Sequence, residues 1–503
     1  MNNSENRIRD ILIVGGGTAG WMTAAALANA FTPETCRIRL IESDQIGTVG
    51  VGEATIPHIQ VFNNLLGIDE NDFIKKTQGT FKLGIQFVNW GHLGNQYIHP
   101  FGTYGNTIGS LTFYNYWLKY HQQGKSQDIG DFSLAVQAAL RGKFTRPLDM
   151  PNSPLAKIGY AFHFDAGLYA KYLRNYAEQR GVERIEGEIL NAELNSGNGF
   201  IKSVLLKTGD SLTADLFIDC TGFSGLLIER TLNTGFENWS NLLLCDSAVT
   251  VPSKNAGSPP PFTRSTAHSS GWQWRIPLQH RTGNGHVFSS KYMDVEYAKK
   301  ILLDNLDGDP LAEPRLVKFK TGMRKKFWNK NCVAIGLASG FLEPLESTSI
   351  HLIQSSIIKL LAQFPTLNFE QTVIDRYNEI LTQEFLSIRD FIVLHYKASQ
   401  RTDSPFWNYC RTMDVPQSLQ KKIELYESSG CLMRDNNELF DEVSWVAVMH
   451  GQGLKARNFH PLVNLLDDPV LDKSMTEVKM VINNSAEFMP THADFIARYC
   501  AAQ

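Results

Sequence analysis

The chain has 503 residues, of which 43% are hydrophobic and 20% are charged, as in an ordinary globular protein with room for two or three domains. The formal net charge of −3 and the lack of a long basic run argue against nucleic acid or an anionic membrane surface as the main partner. Small molecules are the expected partners.

Cysteine usage and the first residues indicate the compartment. The seven cysteines are odd in number and show no metal-type spacing. Residues 1–10 are polar and charged, and no later stretch reaches the roughly 18 apolar residues of a membrane span. We therefore expect a cytoplasmic protein without a metal centre.

The first predicted elements form a nucleotide-binding βαβ unit. The apolar run 11–14 predicts a strand, residues 15–20 form a G-x-G-x-x-G sequence, and a helical pattern follows to Ala30. A second strand, 38–41, ends at Glu42, where a carboxylate can hydrogen-bond an adenosine ribose. This unit predicts a dinucleotide site that suits both NAD and FAD.

A glycine-rich segment and an alternating strand come next. Residues 47–57 contain several glycines, which predicts a flexible loop close to a ligand. Residues 81–90 alternate, with Phe81 on the main apolar face and Lys82 on the other. A lysine in such a position usually meets solvent, so this pattern alone favours a surface role for Lys82.

The middle of the chain adds further strands and a turn that favours FAD. Residues 99–102 predict a turn whose rings either line a pocket or simply pack, and 201–213 predict a hairpin. Asp165 is the expected cap of a helix. The strand 216–219 ends in a D-x-x-G turn at Gly222, which is typical of flavoproteins of the aromatic-hydroxylase type.

Two large aromatic residues share one face of the segment 272–277. In an extended chain Trp272 and Trp274 point the same way, while Gln273 and Arg275 point the opposite way. A core strand would explain these residues, but a core does not require the sequence W-x-W-x-I-P. The segment is therefore a candidate wall of a ligand site.

The segment 336–350 joins a strand to a helix. Residues 332–335 predict a buried strand, and apolar residues recur at helical spacing from Ile350 to Phe364, with Ser347 or Thr348 as the N-cap. Free amides at this helix start can hold an anion, and Glu346 stands beside them. By itself Glu346 is better explained as a surface residue in a helix cap.

Beyond Pro365 helical patterns dominate, as in residues 374–396, and strand-like alternation fades. We therefore expect two parts. Residues 1–365 form an α/β, Rossmann-type FAD-binding core of the aromatic-hydroxylase kind with inserted pocket segments, and residues 366–503 form a mainly helical part that covers the substrate.

Together these motifs closely resemble the flavin-dependent tryptophan halogenase family. The resemblance is strong over residues 10 to 360 and rests on the glycine sequence with Trp21, the loop 50–57, Lys82, the segment 272–277 and Glu346. The glycine sequence occurs in many flavoproteins, whereas W-x-W-x-I-P and E-P-L-E-S-T with a strand lysine are specific to halogenases.

The resemblance implies a chemistry and roles for residues. Reduced FAD (FADH2) from a separate flavin reductase would, with oxygen and halide, yield hypohalous acid that travels to a second pocket. There Lys82 would hydrogen-bond the acid or form a haloamine, and Glu346 would orient it or accept the proton of the halogenated ring. Trp272 and Trp274 would screen the flavin from the organic substrate.

The resemblance also implies binding residues for the cofactor and the halide. The halide would lie at Thr348 and Ser349, where the family has a Thr-Gly pair, and chloride or bromide preference stays open. The expected cofactor-binding residues are Gly15, Gly17, Thr18, Ala19, Gly20, Glu42, Gly52, Ala54, Gly336 and Leu337.

The substrate is expected to be an electron-rich aromatic such as indole in preference to free tryptophan. The region 440–451 lacks the Tyr-Tyr pair that helps tryptophan halogenases to hold the amino-acid head, although Asp441 or Glu442 could replace part of that clamp. The residues expected to line the pocket are His99, Phe101, His395 and Trp445, whose rings can stack on a flat substrate.

Two other functions stay open at this level. An FAD-dependent aromatic monooxygenase would need no halide and would usually reduce its own flavin with NAD(P)H. A flavin-binding protein without catalysis would leave Lys82 and Glu346 as ordinary charges. A monomer and a homodimer are both compatible with the sequence.

Overall fold

The computed structural model describes residues 6–45, 52–126, 128–435 and 438–502. Residues 47–51 of the predicted glycine-rich loop 47–57 lie outside these ranges. The chain divides into two compact units of interleaved segments. The first comprises residues 1–78, 164–240 and 319–385, and the second comprises residues 79–163, 241–318 and 386–503.

The strands are numbered in chain order. They are β1 Asp10–Val14, β2 Arg37–Glu42, β3 Gly52–Ala54, β4 Thr80–Lys82, β5 Gly84–Val88, β6 Gln96–Pro100, β7 Ala161–Asp165, β8 Glu183–Glu186, β9 Ile189–Leu194, β10 Ile201–Leu206, β11 Ser211–Thr213, β12 Leu216–Asp219, β13 Phe236–Asn238, β14 Ser247–Ser253, β15 Thr263–His268, β16 Gly271–Pro277, β17 Thr282–Phe288, β18 Arg315–Lys318, β19 Gly322–Arg324, β20 Trp328–Asn329, β21 Cys332–Ala334 and β22 Gly340–Phe341.

The α-helices are numbered in the same way. They are α1 Thr18–Ala30, α2 His58–Leu65, α3 Glu70–Lys76, α4 Phe113–Gln122, α5 Leu134–Leu140, α6 Ala166–Glu178, α7 Val295–Asp304, α8 Ser349–Ala362, α9 Gln371–Lys397, α10 Pro405–Thr412, α11 Gln417–Ser429, α12 Glu442–Gly451, α13 Asp468–Phe488 and α14 His492–Tyr499.

The first unit is built on a six-stranded sheet in the order β20-β21-β12-β1-β2-β8. Strands β21, β12, β1, β2 and β8 run parallel, and β20 is antiparallel at the edge. Helix α1 packs against α6 and α8. The strands are apolar because both faces of a parallel sheet are covered. This arrangement confirms the predicted Rossmann-type α/β fold.

The second unit is built on a seven-stranded sheet in the order β18-β14-β17-β16-β15-β5-β6. Its strands pair antiparallel except for β15 and β5, which are parallel. Helix α12 packs near β6, α13 packs near α5, and α7 covers β17. A short antiparallel pair, β4 with β7, sets Thr80 opposite His163 and Lys82 opposite Ala161.

Several local predictions are confirmed. Residues 201–213 form the antiparallel pair β10 and β11, and Asp165 caps α6 by accepting hydrogen bonds from the amides of Gly167 and Leu168. From Gln371 to the end of the described chain, the secondary structure is helical, apart from turns and isolated bridges. Within the described ranges, no helix is both long and apolar enough to cross a membrane.

Candidate active site

The glycine sequence lies between β1 and α1 in the first unit, and its glycines are needed for different reasons. Gly15 has φ +105°, and a Cβ there would lie 2.4 Å from the carbonyl oxygen of Cys220. A Cβ on Gly20 would lie 1.9 Å from the carbonyl oxygen of Gly15. Gly17 has φ −71°, which any residue can adopt, and it precedes the uncapped first turn of α1. The fold therefore requires Gly15 and Gly20, whereas Gly17 leaves the helix amides open to a phosphate.

Glu42 ends β2 beside this loop, as predicted. A Cβ on Gly16 would overlap the Glu42 carboxylate, at 1.5 Å from Oε2. Trp21 Nε1–H donates to Glu42 Oε2 at 3.3 Å, and Arg184 Nε–H donates to Oε1 at 2.6 Å. The carboxylate is thus oriented by two donors before any ribose binds. Sequence reasoning missed Arg184, which reaches Glu42 only because β8 pairs with β2.

The other predicted cofactor residues of the first unit lie in two short elements. Gly336 has φ +73° and begins a one-turn 3-10 helix that also contains Leu337. A Cβ on Gly336 would lie 2.7 Å from the Cβ of Ala19, so this turn and the glycine loop meet closely. Gly52 and Ala54 belong to β3. The residues present fit a dinucleotide, because the loop offers free amides and no side chain at Gly17.

Glu346 and the predicted halide residues follow one another in the same unit. Glu346 ends a one-turn 3-10 helix and is fully buried, so the surface explanation is wrong. Ser347 has φ +59°, and Thr348, one of the two predicted alternatives, occupies the N-cap position of α8 without making a side-chain capping hydrogen bond. The buried Thr348 hydroxyl has no hydrogen-bond partner among the described residues, and Ser349 begins α8. An uncapped helix start with a buried hydroxyl suits a small anion.

Lys82 lies at the end of β4 in the second unit and is 0% exposed. The expectation that it faces solvent is therefore wrong. The predicted strand 81–90 is interrupted, because Leu83 N–H donates to the Pro261 carbonyl and pairing resumes only at Gly84. Lys82 Nζ lies 5.1 Å from the centroid of the Phe101 ring, within cation–π range.

Trp272 and Trp274 are buried in β16, with ring centroids 6.0 Å apart, as expected for side chains on one face. Gly285 lies opposite Trp274 on β17, and a Cβ there would come within 2.1 Å of the indole. The indole nitrogen of Trp274 is buried without a hydrogen-bond partner among the described residues. The paired glycine therefore makes room for this large ring.

Three of the four predicted pocket residues surround one ring that sequence reasoning missed. The centroid of Phe391 lies 5.8 Å from that of His99, 5.2 Å from that of His395 and 5.0 Å from that of Trp445. Phe440 stacks on the same ring at 3.9 Å. Phe391 falls within the helical pattern 374–396, which carries no signal for a pocket. We call these five residues the Phe391 cluster.

The remaining predictions for this region differ in outcome. Phe101 lies beside Lys82, and no ring contact with Phe391 is found for it in the described chain. His99 is not in a turn, because β6 continues through Pro100. Asp441 caps α12 by accepting from Ser444 N–H at 3.2 Å. Burial raises the pKa of Glu442, and a hydrogen bond to Thr112 opposes that shift.

The fold and these sites define a class of protein. The first unit is a dinucleotide-binding α/β unit that also holds a buried carboxylate beside an uncapped helix start. The second unit holds a buried lysine, a buried pair of indoles and an aromatic cluster. Such a combination is expected of a flavoenzyme that acts on an aromatic compound.

Comparisons with known proteins identify the family. The family model for tryptophan halogenase matches residues 10–468. Tryptophan 6-halogenase ThaL from Streptomyces albogriseolus is 33% identical over 534 residues, which cover 98% of each chain. The chain belongs to the tryptophan halogenase family, and it is an FADH2-dependent halogenase.

Solved structures agree with this assignment. Xcc4156, a flavin-dependent halogenase from Xanthomonas campestris, matches with TM-score 0.95 and 46% identity, covering 99% of each chain. BrvH, a flavin-dependent halogenase from Brevundimonas sp. BAL3, matches with TM-score 0.94 and 46% identity, covering 98% of this chain and 99% of that one. Because the family model and these relatives are halogenases, they do not favour the alternative of an FAD-dependent aromatic monooxygenase.

Proposed function

We propose that this halogenase acts on an electron-rich aromatic of the indole class in preference to free tryptophan, with Lys82 and Glu346 as its catalytic residues. The observation that carries the substrate proposal is the Phe391 cluster. It is a group of buried, packed rings on which a flat aromatic ring would stack, while Asp441 and Glu442 accept hydrogen bonds from Ser444 and Thr112. An amino-acid head would lose its hydration there without full compensation.

The relatives support the same proposal. The two flavin-dependent halogenases at 46% identity are more similar to this chain than tryptophan 6-halogenase ThaL at 33%. We expect this chain to differ from the enzymes named for tryptophan in the residues that would bind the amino-acid head.

FAD would be held by the glycine loop, Glu42, β3 and the Gly336–Leu337 turn, and when reduced it supplies, with oxygen and halide, the hypohalous acid. The open amides of the first turn of α1 would bind the pyrophosphate, and Glu42 would accept a ribose hydroxyl. Thr348 and Ser349 would bind the halide through a hydroxyl and helix amides.

Lys82 would bind the hypohalous acid in the second unit. Its amine donates a hydrogen bond to the oxygen of the acid, which polarises the halogen for attack by an electron-rich ring carbon. The burial of Lys82 strengthens this interaction, because charges interact more strongly away from water.

Glu346 would complete the substitution as a general base. Once the ring carbon has bound the halogen, the same carbon must lose its proton, and a carboxylate is a competent acceptor. Trp272 and Trp274 would keep the organic substrate away from the flavin, since their indoles fill the face of β16 on which they lie.

Flavin-dependent halogenases generally need a separate flavin reductase and an aromatic substrate, and we propose both for this chain. The seven free thiols support a reducing cytoplasm. A homodimer is compatible with these features. The boundary between a core of residues 1–365 and a helical part of residues 366–503 stays a prediction, which limited proteolysis would test.

A competition assay tests the proposed substrate. The purified protein, FAD, a flavin reductase and bromide or chloride are incubated with equal amounts of indole and tryptophan, and the products are read by mass spectrometry. We expect halogenated indole in clear excess. A preference for tryptophan would overturn the substrate proposal, and oxygenated product without halide would overturn the halogenase chemistry.

A further inference from the structure

Two buried histidines of the second unit bind the short strand that carries Lys82. Phe81 N–H donates to Nε2 of His492 at 3.1 Å, and Nδ1 of the same ring lies 2.7 Å from the Pro259 carbonyl oxygen. A carbonyl only accepts and an amide N–H only donates. The His492 ring therefore carries its hydrogen on Nδ1 and is neutral.

The second histidine holds the preceding residue of the strand. Thr80 O–H donates to the Pro277 carbonyl at 2.7 Å, so its oxygen accepts from His163 Nδ1–H at 2.9 Å. His163 Nε2 is then the acceptor for Thr263 O–H at 2.9 Å. The donor and the acceptor are therefore fixed in each of these hydrogen bonds, and the series ends at the carbonyl of Pro277, the proline of W-x-W-x-I-P.

Burial keeps both rings in these states. Burial lowers the pKa of His492 to about 4. It also lowers the pKa of His163 well below its usual range, and the positive charge of Lys82 lowers it further. Near neutral pH both imidazoles are uncharged, so each has one donor and one acceptor nitrogen. Both rings are fully buried or nearly so.

We propose that His492 and His163 are positioning residues for Lys82: the first holds the backbone of Phe81, and the second holds the side chain of Thr80. Together they fix the backbone from which the Lys82 side chain extends. The position of this backbone determines where the Lys82 amine meets the hypohalous acid. The proposal rests on the proposed catalytic role of Lys82. A displacement of about 1 Å can lower a rate by about 100-fold, so a small shift of β4 matters.

A matched pair of variants separates positioning from packing. In His492→Gln the side-chain amide reaches as far as Nε2 and can still accept from Phe81 N–H. In His492→Asn the amide ends near the position of Nδ1, so it can donate to the Pro259 carbonyl but cannot accept from Phe81 N–H. Both replacements are polar, uncharged and smaller than histidine.

Two readouts are compared for wild type, both variants and Lys82→Ala. One is halogenated indole, and the other is free hypohalous acid trapped by monochlorodimedone. We expect His492→Asn to lower indole halogenation by about 10- to 100-fold while trapped hypohalous acid is kept, and His492→Gln to stay within about threefold of wild type.

Each result decides a different question. Equal halogenation by the Asn and Gln variants would overturn the role of the Phe81 hydrogen bond. A parallel loss of trapped acid and halogenated indole in His492→Asn would show a purely structural role. Retained halogenation in Lys82→Ala would overturn the proposed function itself, and the positioning proposal with it.

Variants of Thr263, the hydrogen-bond partner of His163, test His163 in the same way. They also keep the proposal testable if the His492→Asn protein is unstable. Thr263→Ser keeps the hydroxyl that donates to His163 Nε2, whereas Thr263→Val removes it at nearly constant volume. We expect the Val variant to lose severalfold more indole halogenation than the Ser variant, with trapped acid unchanged. Equal activities would remove His163 from the proposal.

Discussion

At the scale of single residues, the two proposed catalytic side chains are both fully buried. Asp219 is also a buried charge, and it accepts hydrogen bonds from the amides of Leu227 and Ile228. A carboxylate and an amine away from water interact strongly with any polar group brought near them. This environment is useful for activating a small polar oxidant.

Lys82→Ala and Glu346→Gln should each lower halogenation by about 100- to 1,000-fold, because each removes a positioned polar group that acts on the reacting atoms. Neither residue belongs to the glycine loop, so flavin binding and the release of trappable hypohalous acid should persist. Product formation is measured by mass spectrometry and flavin affinity by fluorescence. Near-wild-type halogenation in either variant would remove that residue from the mechanism.

Gly17→Val should weaken FAD binding strongly, because the side chain would occupy the space that the pyrophosphate needs. The backbone at Gly17 has φ −71°, so the substitution does not strain the loop. Gly257→Val is a matched control, since Gly257 is exposed and a Cβ there meets nothing within 4 Å. Titration of both variants with FAD is the measurement, and equal affinities would contradict the assignment of the loop.

At the scale of elements, a buried charge cluster joins α8 to α9 within the first unit. Glu384 lies 2.8 Å from His351 Nε2 and 2.9 Å from Lys359 Nζ, and it accepts from Ser355 O–H at 2.6 Å. Burial would raise the pKa of Glu384, but these partners lower it to about 2. Because α8 begins at the proposed halide residues, this cluster supports the start of that helix.

Glu384→Gln should lower the free energy of unfolding by about 3 kcal/mol, since it leaves the charge of Lys359 without its partner. A lowered carboxyl pKa stabilises the fold above the ordinary value of 4.5, and this stabilisation is lost as the pH falls towards 2. The free energy of unfolding, measured with urea between pH 7 and pH 3, should therefore decrease less with falling pH in the variant than in wild type.

Glu379→Gln provides the control on the same helix. Glu379 pairs with Arg376 at 2.7 Å, but both side chains are more than half exposed, so its loss should change stability by less than about 1 kcal/mol. A destabilisation of equal size in the two variants would show that the buried cluster contributes nothing specific.

At the scale of the whole molecule, the sequence holds a single G-x-G-x-x-G with an acidic partner, and this site lies in the first unit. The second unit contributes the mainly antiparallel seven-stranded sheet, the buried lysine and the aromatic cluster. One dinucleotide site is enough for a flavin but leaves no comparable site for a nicotinamide reductant. The enzyme is therefore expected to receive its flavin already reduced.

The purified protein should consume NADH or NADPH no faster than free FAD does, and halogenation should begin only when a flavin reductase is added. Absorbance at 340 nm follows the nicotinamide, and mass spectrometry follows the product. A heat-inactivated reductase is the control. Rapid NAD(P)H oxidation by the protein alone would place its chemistry closer to that of a monooxygenase.

The sequence by itself determined the features that depend on near neighbours. The structure has the strand, glycine loop and helix of residues 10–30 and the end of β2 at Glu42 where short-range preferences predicted them. The same preferences left Ser347 and Thr348 as alternatives for the N-cap position of α8, which Thr348 occupies. Glycine and proline spacing and apolar periodicity act over a few residues, so one chain is enough to read them. The family resemblance rests on motifs of the same kind.

Only the tertiary structure decided what surrounds these motifs. Alternation along residues 81–90 correctly separated Lys82 from Phe81, but it wrongly left Lys82 at the surface, because whether a second face is covered depends on distant segments. His492 reaches the Phe81 amide from 411 residues away, and Arg184 reaches Glu42 from 142 residues away. Such contacts arise from the packing of complete elements. A local sequence pattern does not predict which buried donor will hydrogen-bond to which acceptor.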